Sequence, residues 1–116
     1  MKMVHVTILT SKMEDSIRFY QEVVGLHVVA DMRKNGGIPV FLGDDECSVR
    51  VELVESMDGA YDATKGLSIG FHVDDVEATR EEMAQKGLNP TPVISPNPHV
   101  KFFYVKDPNG VEIQFI

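Results

Sequence analysis

The chain has 116 residues, 43% of them hydrophobic and 25% charged, enough for one soluble domain whose core needs no staples. A net charge of −7 with no basic stripe excludes a nucleic-acid backbone and argues against an anionic membrane surface as partner. The single cysteine, Cys47, excludes an intrachain disulfide framework and fits a reducing, cytoplasmic setting, while no apolar run approaches the ~20 residues that span a bilayer.

The chain opens with MKMVHVTILT, one lysine and a short apolar stretch with no small-residue cleavage site after it, which reads as a first strand. Residues 2–10 alternate and are rich in β-branched types, as a half-buried strand requires. Ser11 with Glu14 forms a capping-box pattern, and Ile17, Phe19, Tyr20, Val23 and Val24 then give a helical apolar stripe that Gly25 ends. Residues 26–32, 38–42 and 47–54 read as three strands, split by turn clusters at 34–37 and 43–46. The polar segment 55–65 is the natural linker.

The order then restarts. Residues 67–73 read as a strand, and Asp74 with Glu77 repeats the capping box. Val76, Met83 and Ala84 mark the apolar side of a second helix that stops at Gly87. Strands are expected near 91–94, 100–105 and 111–116, the last two joined by the turn sequence DPNG at 107–110. The loop 95–99, with Pro96 and Pro98, reads as a rim or lid. Each half is therefore βαβββ: module one 1–54, linker 55–65, module two 66–116, together one domain.

The halves also align residue by residue. VHVTILTSKMEDSIRFYQEVVGL at 4–26 lies over LSIGFHVDDVEATREEMAQKGL at 67–88, and SVRVELV at 48–54 lies over GVEIQFI at 110–116. A sheet with one helix covers one face only, so two such units complete each other. Side chains alternate along a strand, so His5 and Thr7 face away from Val4, Val6 and Ile8, and Arg50 and Glu52 away from Val51 and Leu53. By the same parity Ser68 and His72 oppose Ile69 and Phe71, and Glu112 and Gln114 oppose Ile113 and Phe115. The overlay sets His5 against Ser68 and Glu52 against Gln114, so curved sheets joined edge to edge would bring all four around a common cup. An imidazole, a carboxylate, a hydroxyl and an amide in a cup are a candidate small-molecule or metal site.

These features resemble the vicinal oxygen chelate superfamily, which groups glyoxalase I, bleomycin-resistance proteins, methylmalonyl-CoA epimerase, fosfomycin-resistance transferases and extradiol dioxygenases. The resemblance rests on the first strand with His5, the helix DSIRFY at 15–20 leading to VGL at 24–26, the stretch FHVDD at 71–75, and DPNGVEIQ at 107–114. It implies an α+β fold of two tandem βαβββ modules forming curved sheets around a cup, and a homodimer with two sites. Similarity to glyoxalase I implies four metal-ligand positions. His5 matches the first and Glu52 the second, both suited to Zn, Ni, Co or Mn. The third, usually histidine, falls on Ser68, and the fourth, usually glutamate, on Gln114. His72 shares the face of Ser68 but lies further along. Metal would then rest on His5, Glu52, Gln114 and water, with Glu52 as the proton-moving carboxylate and Glu112 as second choice. Arg50, Ser68, His72 and Glu112 are the expected substrate-binding residues.

Three functions are expected from this set. The first is a divalent-metal-assisted lyase, isomerase or transferase on a small oxygen-rich substrate, similar to lactoylglutathione lyase but with an incomplete ligand set. The second is a metal-free protein that sequesters an antibiotic or other small molecule, as the bleomycin-resistance likeness suggests. The third is an accessory domain with a vestigial cup. Cys47 reads as a core-edge residue, His27 and His99 as surface residues, and the acidic runs 44–46 and 74–75 as turn and cap chemistry.

Overall fold

Two sheets of identical strand order carry the chain, and each is covered on one face by a single helix. The computed structural model describes residues 1–46, 49–56 and 66–116. Cys47, the start of the strand expected at 47–54, and most of the linker at 55–65 lie outside the described residues. The chain divides into two compact units, Met1–Ala63 and Thr64–Ile116.

In the first unit the elements are β1 (His5–Thr10), α1 (Met13–Glu22), β2 (His27–Asp31), a 3-10 turn (Met32–Asn35), β3 (Val40–Gly43) and β4 (Arg50–Glu55). The sheet order is β1-β4-β3-β2, with β1 parallel to β4 and the other pairs antiparallel. The second unit repeats this with β5 (Ser68–Phe71), α2 (Val76–Gln85), β6 (Ile94–Asn97), β7 (Val100–Lys106) and β8 (Glu112–Phe115), in the order β5-β8-β7-β6. The fold is α+β, two βαβββ modules. Among the described residues no helix is long and apolar enough to cross a membrane.

Parity decides which face is buried. Ile8, Val40, Leu42, Val51 and Leu53 form the inner face of the first sheet, packed with Met13, Ile17 and Tyr20 of α1 in one core. Phe103, Val105, Ile113 and Phe115 do the same in the second, with Met83 as the only buried residue of α2. The Phe103 and Phe115 rings stack at 5.2 Å. Ala84, expected on the apolar side of that helix, is exposed. In its place Arg80 turns inward and donates from Nε to the Thr91 carbonyl at 2.7 Å, tying the helix to the segment after it.

The helix starts differ from the capping boxes expected. The residue before α1 is Lys12, which makes no side-chain cap. The Thr10 hydroxyl accepts from the Lys12 N–H at 2.9 Å instead, and Glu14 is drawn away by Arg33, 2.9 Å distant. At α2 the cap is Asp75 rather than Asp74, accepting from the Ala78 N–H at 2.9 Å. Gly87 follows the C-cap of α2 as expected, whereas α1 ends earlier, with Val23 as its C-cap; Gly25 and Gly87 take φ of 86° and 76°, conformations that exclude most side chains.

The second module departs most at β6. A strand was expected at 91–94 and a loop at 95–99, yet the strand is Ile94–Asn97 and contains Pro96. Proline is tolerated there because β6 is an edge strand whose outer side needs no N–H. Thr91 remains tied to β7, donating its N–H to the Tyr104 carbonyl at 3.0 Å and accepting the Tyr104 N–H on its hydroxyl at 2.9 Å. The turn at 107–110 is held by buried Asp107, whose carboxylate accepts the Asn109 and Val111 N–H groups, each at 2.8 Å.

Candidate functional site

The uncovered face of the first sheet carries one cluster of polar side chains. Parallel pairing sets Thr7 of β1 opposite Glu52 of β4, and antiparallel pairing sets Phe41 of β3 on its other side. His5, two residues before Thr7, shares that face. Its Nε2 stands 3.1 Å from Glu52 Oε2, and the Thr7 hydroxyl donates to the same oxygen at 2.5 Å. The His5 ring meets Phe41 edge-on at 5.9 Å. The Glu52 side chain is only 14% exposed and that of His5 40%, so the carboxylate is sheltered while the imidazole reaches outward. Oε1 of Glu52 takes no hydrogen bond among the described residues, which leaves one carboxylate oxygen open. Arg50 lies across Gly43, where a Cβ would come within 2.5 Å of its Cδ.

Equivalent positions in the second unit hold neutral groups. Gln114 of β8 is flanked in register by Gly70 of β5 and Tyr104 of β7. Its Nε2 donates to the Tyr104 hydroxyl at 3.2 Å, and its Oε1 sits 3.2 Å from where a Gly70 Cβ would stand. The Phe102 ring meets Tyr104 edge-on at 5.7 Å. Ser68 and Glu112 are register partners, both exposed. Glu112 lines a recess of about 320 Å³ with Asn89, Thr91, Tyr104 and Lys106. His72 lies past the end of β5, exposed, 3.5 Å from Asp74, and borders a different recess of about 460 Å³ with Val76, His99 and Lys101.

The structure thus joins His5 to Glu52 and Gln114 to Tyr104, whereas His72 and Glu112 line separate recesses. Thr7, Phe41, Gly70 and Tyr104 were not among the expected site residues. Parity placed Thr7 on the right face, but its contact depends on which residue of β4 lies opposite. His27, 3.2 Å from Asp45, is an exposed surface residue as expected.

The donor set can be tested against the metal that the glyoxalase likeness implies. Two donors ~2.1 Å from one ion and 90–109° apart stand roughly 3.0–3.4 Å from each other. The 3.1 Å between His5 Nε2 and Glu52 Oε2 suits neighbouring corners of a coordination sphere as well as a direct hydrogen bond. Among the described residues no three His, Cys, Asp or Glu side chains converge. The spacing of this pair fits two neighbouring positions in the shell of a divalent ion.

Comparison with known proteins places the chain in a family. The model of the glyoxalase/bleomycin resistance protein/dioxygenase superfamily matches residues 2–115, and the chain belongs to that superfamily. It is 29% identical, over its whole length and 92% of the relative's, to a lactoylglutathione lyase of Haemophilus influenzae. Among solved structures it is similar to the trypanothione-dependent glyoxalase I of Leishmania major, with a TM-score of 0.76, 24% identity, and coverage of 100% of this chain and 86% of that one. It is also similar to an antibiotic-binding protein from a Streptomyces species, with a TM-score of 0.79, 21% identity, and coverage of 99% and 93%.

Proposed function

We propose that this protein is a divalent-metal-assisted lyase, isomerase or transferase of the glyoxalase I type, acting on a small oxygen-rich substrate in the cytoplasm. The reading rests on the placement of His5 Nε2 beside Glu52 Oε2 on an uncovered sheet face. The similarity to a lactoylglutathione lyase over the whole chain supports it. In this proposal His5, Glu52 and Gln114 are the protein ligands, and Zn, Ni, Co or Mn is the ion.

A bound ion polarises the substrate's oxygens and so acidifies the adjoining C–H. The chain's own residues do the rest. Thr7 holds Glu52 through Oε2, leaving Oε1 to take a proton from carbon and return it. Gln114 binds without titrating, so proton transfer falls on one carboxylate. Ser68 and Arg50 donate hydrogen bonds to substrate oxygens, with His72 and Glu112 as outlying contacts. The chain works as a homodimer and engages neither nucleic acid nor membrane.

Thermal unfolding with EDTA and then with each ion tests this. At 100 times its dissociation constant a specific ion adds about 2.7 kcal/mol, and His5→Ala should abolish that gain. No gain with any ion, or a gain that persists in His5→Ala, would overturn the proposal.

A second reading has its own support. The neutral face of Gln114, Tyr104, Phe102 and Gly70 suits an organic ligand with polar and aromatic parts, and an antibiotic-binding protein shares the fold. A metal-free binder would keep its affinity for a small molecule in EDTA and in Glu52→Gln; the metalloenzyme would lose it in both.

A further inference from the structure

The sequence holds two Asn-Gly pairs, Asn35-Gly36 at the end of the 3-10 turn and Asn109-Gly110 in the turn between β7 and β8. Asparagine is chemically labile, most of all before glycine, which has no side chain to hinder approach of its backbone nitrogen. The two sites share a backbone geometry. Gly36 and Gly110 take φ of 80° and 83°, and each donates its N–H three residues back, to the Arg33 carbonyl at 3.3 Å and the Asp107 carbonyl at 3.0 Å.

They differ in what holds the asparagine. Asn109 is half-buried, and it donates its N–H to Asp107 Oδ1 at 2.8 Å and its Nδ2 to Oδ2 at 3.1 Å. A carboxylate only accepts, so the amide is tied at its donor end to a buried group. Asn35 and Gly36 are exposed, and among the described residues the Asn35 side chain takes no hydrogen bond.

We propose that Asn35 is the site of deamidation in the folded protein and that Asp107 protects Asn109. The Gly36 nitrogen attacks the Asn35 side-chain carbonyl carbon and passes its proton to water as a five-membered succinimide closes. The Cγ–Nδ2 bond breaks and ammonia leaves. A water molecule then opens the ring at either carbonyl, giving aspartate or isoaspartate. At Asn109 the side chain must first leave Asp107 before its carbon can meet the Gly110 nitrogen. An isoaspartate at position 35 sends the main chain through one extra carbon where the Gly36 and Gly37 N–H groups return to the Arg33 and Met32 carbonyls. It would loosen the turn that sets Arg33 between Asp31 and Glu14. None of this depends on the proposed metal site.

Peptide mass mapping of the full chain, aged in mildly alkaline buffer, tests it. Conversion at Asn35 should outrun that at Asn109 by about tenfold or more, the factor that one hydrogen bond to a charged group supplies. In unfolding urea the two sites should convert at similar rates. Equal rates in the folded chain overturn the proposal. A difference that persists in urea also overturns it, since the sequence alone would then account for the selectivity.

Discussion

Glu52 is held by a hydroxyl from a strand 45 positions away in sequence, a contact that no local pattern announces. Alternation along β1 shows which residues share a face. It does not show which residue of β4 lies opposite, because the parallel pairing of β1 with β4 bypasses the strands between them. Once Thr7 stands against Glu52, its hydroxyl can only donate to the carboxylate, fixing the plane of the group that is proposed to bind and move a proton. Thr7→Val keeps the shape and removes the donor. It is expected to lower ion affinity about tenfold with little change in the melting point of the metal-free protein. Calorimetry on the two proteins gives the answer, and equal affinities would reduce Thr7 to a bystander.

At the level of elements, strands and helices were legible to within a residue or two in most places, since apolar periodicity and glycine stops are local signals. The capping boxes were not. Their spacing is present in both halves, but Glu14 finds a stronger partner in Arg33, and at α2 the chain begins the helix one residue later. The β6 strand was misplaced because Pro96 argues against a strand unless the strand is known to lie at an edge. The difference between the two caps is measurable. Asp75→Ala should cost about 1 kcal/mol in urea unfolding, the usual loss for an aspartate cap. Ser11→Ala should leave stability nearly unchanged, because its side chain caps nothing in α1; comparable losses in the two variants would contradict the observed start of α1.

For the molecule as a whole, the duplication was the most readable feature, and the same strand order and matching register recur in both units. The division of polar groups between the halves was also readable, since His5 and Glu52 stand in one and Ser68 and Gln114 in the other. What pairs with each group was not, because it depends on cross-strand neighbours such as Phe41 and Tyr104. Among the described residues each unit further carries one carboxyl held below its ordinary range. Hydrogen bonds from Arg33 lower Asp31, and a hydrogen bond from Lys101 lowers Glu77. A carboxyl lowered in the folded state stabilises it above the unfolded value, near 3.9 for aspartate and 4.3 for glutamate, and loses that contribution as pH falls through the lower folded value. Urea unfolding of the native chain and Arg33→Met should therefore differ at pH 6 and converge toward pH 3. A gap that stays constant across that range would show that Arg33 acts through something other than Asp31.

Two of the four outer strands, β2 and β6, bear on how copies of this chain can meet in concentrated solution. An open strand edge is a template on which another chain can add a strand, the first step of uncontrolled aggregation. Pro96 removes a donor from the β6 edge, and the register shift between Val28 and Ala30 breaks the regular spacing of β2. Neither edge offers a long, even row of backbone donors and acceptors. Self-association at these edges would therefore have to proceed through side-chain surfaces, whose contacts can be specific, rather than by extending either sheet without limit.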